Sequence, residues 1–400
     1  MTAPRPRTTT RDPEDLTRRL TAWLGTRLPG ARATAATVPG SNGMSSETLL
    51  FDIDHPGPPS PELAAPSPGS RPRTTGVGPD GRGDIPASCA LRLAADPAAY
   101  TIFPRYDMAR QYRTMRLVAD RTDLPVPRTL WLEEDPAHLG APFFVMARAV
   151  GRVPPDVMPY TYEGNWLHDA TDGERERLEA ASVSVLARLH DQVPLSEARF
   201  LSSGAGNGTE LRRHVEAQRA YYAWVVDGRP PSPVIERGFA WLAENWPSDP
   251  GETVLTWGDA RIGNIVYGPD FEPSAILDWE MAALGPRELD LGWMVYLHRF
   301  FQDLTESSGN RGLPAFLRRD RIEERYERLT GHTPRDMEFH TLYAALRHAV
   351  VMLRVAYRQV HFGEVPVPDD ADALILHRDT LEAMIAGRYW SGGTALLEGS

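Results

Sequence analysis

Two short apolar runs, each delivering polar residues at its end, govern what this chain can fold into. The first spans Thr253–Trp257 and opens into Gly258 and Asp259, with Asn264 five residues further on beside Gly263. Glycines this close together exclude a helix interior and predict a tight loop. After a turn at Gly268, Pro269 and Asp270, a second strand over Ser274–Leu277 ends at Asp278. Asp259, Asn264 and Asp278 thus fall at adjoining strand ends and make a site.

Two carboxylates and an amide suit a hard divalent cation such as Mg²⁺, which takes oxygen ligands and keeps several waters. Phosphoryl transfer needs that cation and one further carboxylate, outside the metal shell, to accept or orient the proton of an attacking hydroxyl. Asp259 fits the second role. An Asp, five residues to an Asn, then an Asp at the next strand end is also the spacing of the kinase catalytic loop and metal site. Taken singly, Asp259 and Asn264 read equally as turn formers, and Asp278 as the N-cap of a segment starting near Glu280. Asp290, ahead of the apolar helical run Leu291–Phe301, reads as a cap or a brace for the loop.

WGDARIGN, then ILDWE, then DLGW resembles the aminoglycoside phosphotransferase and choline kinase-like family. The resemblance implies an α+β, two-lobed protein-kinase-like fold, with an N-terminal antiparallel sheet lobe, a larger helical C-terminal lobe and the nucleotide between them. It implies ATP and Mg²⁺ as cofactors, Asp259 as catalytic base, Asn264 and Asp278 as metal ligands, and a small-molecule hydroxyl as acceptor. Trp257 stands where the family has His, a residue that supports the loop backbone, so loop geometry is the point in question. Two rival readings are a catalytically weak nucleotide-binding module and a metal-assisted hydrolase using Asp259 and Asp278.

The length of 400 residues, with 42% hydrophobic and 24% charged residues, fits two or three globular domains. A formal charge of −11 disfavours nucleic acid as a partner, because duplex binding rests on basic patches. The single cysteine, Cys89, excludes an internal disulfide framework and fits a reducing compartment. The N-terminus lacks a signal-peptide core, and the apolar stretch Tyr343–Val360 is interrupted by Arg347, His348 and Arg354. A cytoplasmic protein, monomeric or homodimeric, with no membrane partner is expected.

The domain reading is a disordered N-terminus over 1–11, a nucleotide-binding lobe over 12–148 and a catalytic and substrate-binding lobe over 149–400. Asp12 and Pro13 start a helix through Leu16, Leu20, Trp23, Leu24 and Leu28. Residues 38–53 pass from a small, polar loop into an alternating strand. Gly40, Ser41, Asn42 and Gly43 form either a plain hairpin turn or a phosphate cover, with Gly43, Ser45 and Ser46 as candidate phosphate contacts. Residues 55–87 are dense in proline and glycine and read as a flexible insertion. In the strand SCALRLAA, Arg92 falls where kinases carry a phosphate-binding lysine; it reads as that contact or as a surface arginine. A helix over Tyr106–Asp120 brings Gln111 to the position of the partnering glutamate, able to hydrogen-bond Arg92 but not to neutralise it. The strand from Phe143 leads to Met146, Ala147 and Arg148, whose backbone would meet the adenine by resemblance.

The C-terminal lobe is expected to be helical around a small pair of antiparallel hairpins, with helices over 172–192, 211–226, 233–246, 315–330, 334–361 and 370–389. His190 reads as a carbonyl cap at a helix end, and His340, His348 and His361 as structural or surface residues. Tyr221, Tyr222 and Trp224 read as aromatic surface near a substrate cleft or as core. Acceptor identity is not legible: aminoglycosides, macrolides, choline-like amines and hydroxyacyl thioesters stay open. The stretches 205–250 and 360–390 are read as lacking the acidic cluster a polycationic drug requires, with Asp369, Asp370 and Asp372 the nearest approach to one.

Overall fold

The structure is a computed structural model describing residues 11–39, 46–55, 85–96, 99–202 and 208–390. Gly43, Ser45 and the readings on 1–10 and on most of the 55–87 insertion lie outside the described residues. The chain divides into two compact units, Met1–Val150 and Gly151–Ser400.

In the first unit, helix α1 (Pro13–Arg27) begins where the Asp12 side chain accepts the Glu14 amide and Pro13 presets the first turn. Its Leu16, Leu20, Trp23 and Leu24 are buried. The unit continues with β1 (Arg32–Thr37), β2 (Glu47–Asp54), β3 (Ser88–Leu93), α2 (Met108–Arg121), β4 (Thr129–Glu133) and β5 (Phe143–Ala147). The five strands form an antiparallel sheet in the order β1-β2-β3-β5-β4. Trp23 anchors α1 on this sheet, donating its indole N–H to Glu133 at 3.0 Å and meeting Phe143 edge-on. Strand β1 is unexpected: RATAAT is made of small and polar residues whose alternation is too weak to announce an edge strand.

The second unit holds α3 (Asp172–Gln192), α4 (Leu195–Ala198), α5 (Glu210–Val225), α6 (Pro233–Glu244), β6 (Thr253–Thr256), β7 (Ile265–Tyr267), β8 (Pro273–Ile276), β9 (Ala283–Pro286), α7 (Glu288–Ser307), α8 (Arg319–Thr330), α9 (Met337–His361) and α10 (Arg378–Ile385). Two small antiparallel sheets, β6-β9 and β7-β8, sit among these helices. Helix α3 starts on a full capping box in which Thr171 and Glu174 satisfy each other's backbone amides. Helices α7 and α9 pack closely because Gly292 has no side chain: a Cβ there would lie 2.8 Å from the His340 carbonyl oxygen. That contact brings together the two helices that brace the loop described below.

The helix that the alternative reading of Asp278 as an N-cap requires does not form. Asp278 adopts a left-handed backbone (φ 58°), and the chain turns into β9 instead, so Asp278 is no N-cap. Tyr221 and Tyr222 are buried, so the aromatic surface expected there is mostly core.

Candidate active site

Strand β6 ends at Thr256 and the next amides are held by one carboxylate. Asp290, fully buried in the first turn of α7, accepts the Trp257 amide at 2.6 Å and the Gly258 amide at 2.8 Å. His190 Nε2 lies 3.1 Å from the same carboxylate, and its Nδ1 lies 2.8 Å from the Tyr326 hydroxyl. His190 therefore orients Asp290 and is not the carbonyl cap the sequence suggested. Asp290 is a brace inside the helix rather than its cap.

Gly258 is required by geometry. Its φ is +87°, and a Cβ would fall 2.0 Å from the Met281 carbonyl oxygen. Its own carbonyl accepts Arg347 Nη2 at 3.1 Å, from a guanidinium buried over the Trp293 ring. Burial lowers the Arg347 pKa from its ordinary value, while Tyr343, Asp290 and Asp259 pull it back up.

The Asp259 carboxylate is fixed from three sides. Trp293 donates its indole N–H to Oδ1 at 2.7 Å, and Asn264 and Arg261 donate to Oδ2 at 2.6 and 3.2 Å. Arg261 also binds Asp156 at 2.6 Å. Burial opposes the Arg261 charge, but the carboxylates of Asp259 and Asp156 outweigh it and raise its pKa. The guanidinium stays cationic two residues from Asp259.

Asn264 is buried, and its Nδ2 is committed to Asp259, which leaves Oδ1 as the amide's acceptor atom. The Leu277 amide donates to the Asn264 carbonyl at 2.9 Å, tying the strand that carries Asp278 to the 3₁₀ turn that carries Asn264. Trp257 adds a second tie, its indole N–H lying 3.0 Å from the Leu277 carbonyl and 3.1 Å from that of Asp278. The ring standing where the family has His thus clamps the loop to the second strand. A carboxylate and an amide oxygen are hard donors of the type Mg²⁺ takes, with its remaining positions left to water and phosphate. Among the described residues no group of three or more His, Cys, Asp or Glu forms a metal site, so a cation here would rely on that smaller set.

In the first unit, Ser46 immediately precedes β2, and Arg92 lies on β3, which pairs with β2. Ser46 is buried, with its hydroxyl lacking a hydrogen-bond partner among the described residues. Arg92 Nη1 lies 3.3 Å from the Thr48 hydroxyl. Gln111 is buried in α2. The Ala147 and Arg148 amides donate to the Arg128 and Ser88 carbonyls at 2.8 and 3.1 Å, and Met146 is a buried strand residue. Those two amides are committed within the unit.

Sequence reasoning missed Arg261, Asp156 and Arg347. Arg261 carried a usable signal, a cation inside the loop two residues after Asp259. Arg347 carried none, being 88 residues downstream of Asp259 in an apolar helix.

A two-part α+β fold with this loop defines a phosphotransferase of kinase-like architecture. The chain belongs to the phosphotransferase enzyme family, whose family model matches residues 92–354. It is similar to acyl-CoA dehydrogenase family member 10 of Mus musculus, 29% identical over 204 residues, 51% of this chain and 18% of that protein. It is similar likewise to acyl-CoA dehydrogenase family member 11 of Gallus gallus, 30% identical over 46% of this chain and 22% of that protein. The chain thus spans less than a quarter of these relatives' length.

Among solved structures, a Ralstonia eutropha protein assigned to the aminoglycoside phosphotransferases superposes with a TM-score of 0.60 at 21% identity, over 94% of this chain and 98% of that one. A macrolide 2'-phosphotransferase type I gives 0.53 at 16%, over 95% and 98%. A thermostable mutant of aminoglycoside phosphotransferase APH(4)-Ia, solved with AMP-PNP and hygromycin B, gives 0.50 at 16%, over 92% and 97%. At such identities the likeness shows the fold. No helix among the described residues is long and apolar enough to cross a membrane.

Proposed function

We propose that the protein is an ATP-dependent small-molecule kinase that moves the γ-phosphoryl group onto a substrate hydroxyl. The observation that carries this reading is the Asp259 carboxylate, held by Trp293, Asn264 and Arg261 on a loop whose backbone is braced by Asp290. A carboxylate fixed from three sides is preorganised to orient the acceptor hydroxyl and take its proton. Arg261, kept cationic beside it, supplies positive charge where the transferring phosphoryl group gathers negative charge. Asn264 and Asp278 would hold Mg²⁺, which when bound offsets phosphate charge. Ser46 and Arg92 would contact the triphosphate. A nucleotide of the ATP type is supported by the AMP-PNP held by one structural neighbour.

Among the open acceptors, the relatives named for acyl-CoA chemistry favour a hydroxyl on an acyl thioester over a polycationic drug. The test is Asp259→Asn. Transfer should fall by about 10²–10⁴ while ATP–Mg²⁺ binding stays near that of the wild type. Full activity in that variant would remove Asp259 from the proposal.

A further inference from the structure

Between Phe339 and Arg358, helix α9 is buried at every residue except His348, Val351 and Met352. Spacings of three and four residues put these on one face of the helix. The opening borders the catalytic loop. The His348 ring meets the Trp293 ring edge-on at 6.4 Å, and Trp293 is the side chain whose indole N–H holds Asp259. His348 also lies near enough to Arg261 for that charge to act on it.

Three contacts fix the ring. His348 stacks on His377 at 4.7 Å, meets Phe300 edge-on at 4.7 Å, and lies with Nδ1 2.8 Å from the Tyr296 hydroxyl. Tyr296 is fully buried and keeps its proton, because burial raises its pKa well above the ordinary value, with Tyr389 and Asp303 adding to the rise. His348 Nδ1 is the hydrogen-bond partner of that hydroxyl among the described residues. The phenolic proton therefore goes to Nδ1, and the imidazole carries its own on Nε2. Nε2 makes no hydrogen bond among the described residues, on a side chain that is half-buried rather than enclosed. Burial, with His377 and Arg261 adding to it, holds His348 well below its ordinary pKa, so this donor is uncharged. The acids of the elements packed on α9 are engaged elsewhere: Asp303 of α7 by Arg299, Asp372 by Ser232, Glu236 of α6 by Arg219 and Glu382 of α10 by Arg237.

We propose that His348 is an acceptor-binding residue whose Nε2–H donates to an uncharged oxygen of the acceptor, a carbonyl or a second hydroxyl, while Val351 and Met352 meet the acceptor's apolar body. This rests on the kinase reading for the reacting hydroxyl at Asp259, while the donor itself stands on α7 and α9. An N–H donor needs a lone pair opposite it. An ammonium group has none, so a polycationic acceptor finds no partner at this position. An oxygen within an apolar chain meets both the donor and the two apolar side chains.

The experiment titrates the full chain calorimetrically, with Mg²⁺ and AMP-PNP present, using the hydroxyhexanoyl thioester of N-acetylcysteamine, hexanediol, hexanol and aminohexanol, each with its hydroxyl at carbon three or at carbon six. Expected is binding of the thioester or the diol at least ~10-fold tighter than that of hexanol or aminohexanol. His348→Phe should erase this preference and leave AMP-PNP binding as it was. His348→Gln, which offers an amide N–H near the place of Nε2, should restore part of it, and His348→Asn, whose amide falls short, should not. The Gln and Asn pair decides the matter if the phenylalanine variant melts lower than the wild type. Equal binding of all probes by the wild type, binding of none, or an undiminished preference in His348→Phe or His348→Asn would overturn the proposal. So would failure of diethyl pyrocarbonate to modify His348 under conditions that label the exposed His361. Phosphorus NMR with ATP separates the two readings. An oxygen preference without any phosphorylated product leaves His348 standing and removes the kinase assignment, whereas turnover with an acceptor KM that His348→Phe leaves unmoved does the reverse.

Discussion

The indole N–H of Trp257 lies 3.1 Å from the carbonyl oxygen of Asp278, joining the residue before Gly258 to the proposed metal ligand 21 positions away. Trp257 ties the loop to the second strand through this bond and a second one to the Leu277 carbonyl at 3.0 Å. Its ring is fully buried against Trp279. Trp257→Phe keeps most of the packing and deletes the donor, leaving the Leu277 and Asp278 carbonyls short of a partner. A stability loss of about 1–3 kcal/mol is expected, with a higher Mg²⁺ requirement for turnover. Urea melts and a Mg²⁺ titration check it; unchanged values in both would show that the clamp has no role.

Gly258→Ala should be among the most damaging single-methyl additions in the chain. The backbone is left-handed there, and the added carbon would meet the Met281 carbonyl at 2.0 Å. Relief requires β9 or the loop to move, at a cost of about 2 kcal/mol or more. A thermal melt of the variant at the wild-type temperature would contradict the close approach.

Acid should weaken the helical unit through its buried histidines. Burial holds His377 down to about 4, with the Ala345 carbonyl opposing, and holds His340 down to about 4 and His298 to about 3. These rings are neutral in the fold and protonate more readily when unfolded. Above pH 6.5 neither state binds the proton and stability is level. Between pH 6.5 and about 4 the unfolded chain binds more protons, so stability falls as pH falls, by about 1.4 kcal/mol per pH unit per histidine. Urea melts at pH 7.5, 5.5 and 4.5 should show this slope, and His377→Phe should flatten it by about one proton. A flat profile across that range would contradict neutral burial.

Much of this was legible because it is local. The capping box fixes the start of α3 within four residues, and the Gly258–Asp259–Asn264 spacing announces a loop whatever surrounds it. The rest is held by partners far apart in sequence. Asp290 reads as a cap from its neighbours, and only the meeting of α3, β6 and α7 reveals its bonds to His190, Trp257 and Gly258. Taken singly, Asp278 ahead of Glu280 resembles a helix start, and only the pairing of β9 with β6 shows that the chain turns into a strand instead. Arg347 and Arg354 look in sequence like interruptions of an apolar helix, and their meaning comes from the aromatic planes of α7 and α5.

Mg²⁺-dependent nucleotide use is tested by the melting temperature of the wild-type protein with ATP, with and without Mg²⁺. A ligand that binds only the native state adds about 2.7 kcal/mol at a hundred times its dissociation constant. A clear rise with ATP and Mg²⁺ together, larger than with either alone, is the expected result. No shift at millimolar ATP in either condition would contradict it and leave a kinase-like fold without its nucleotide.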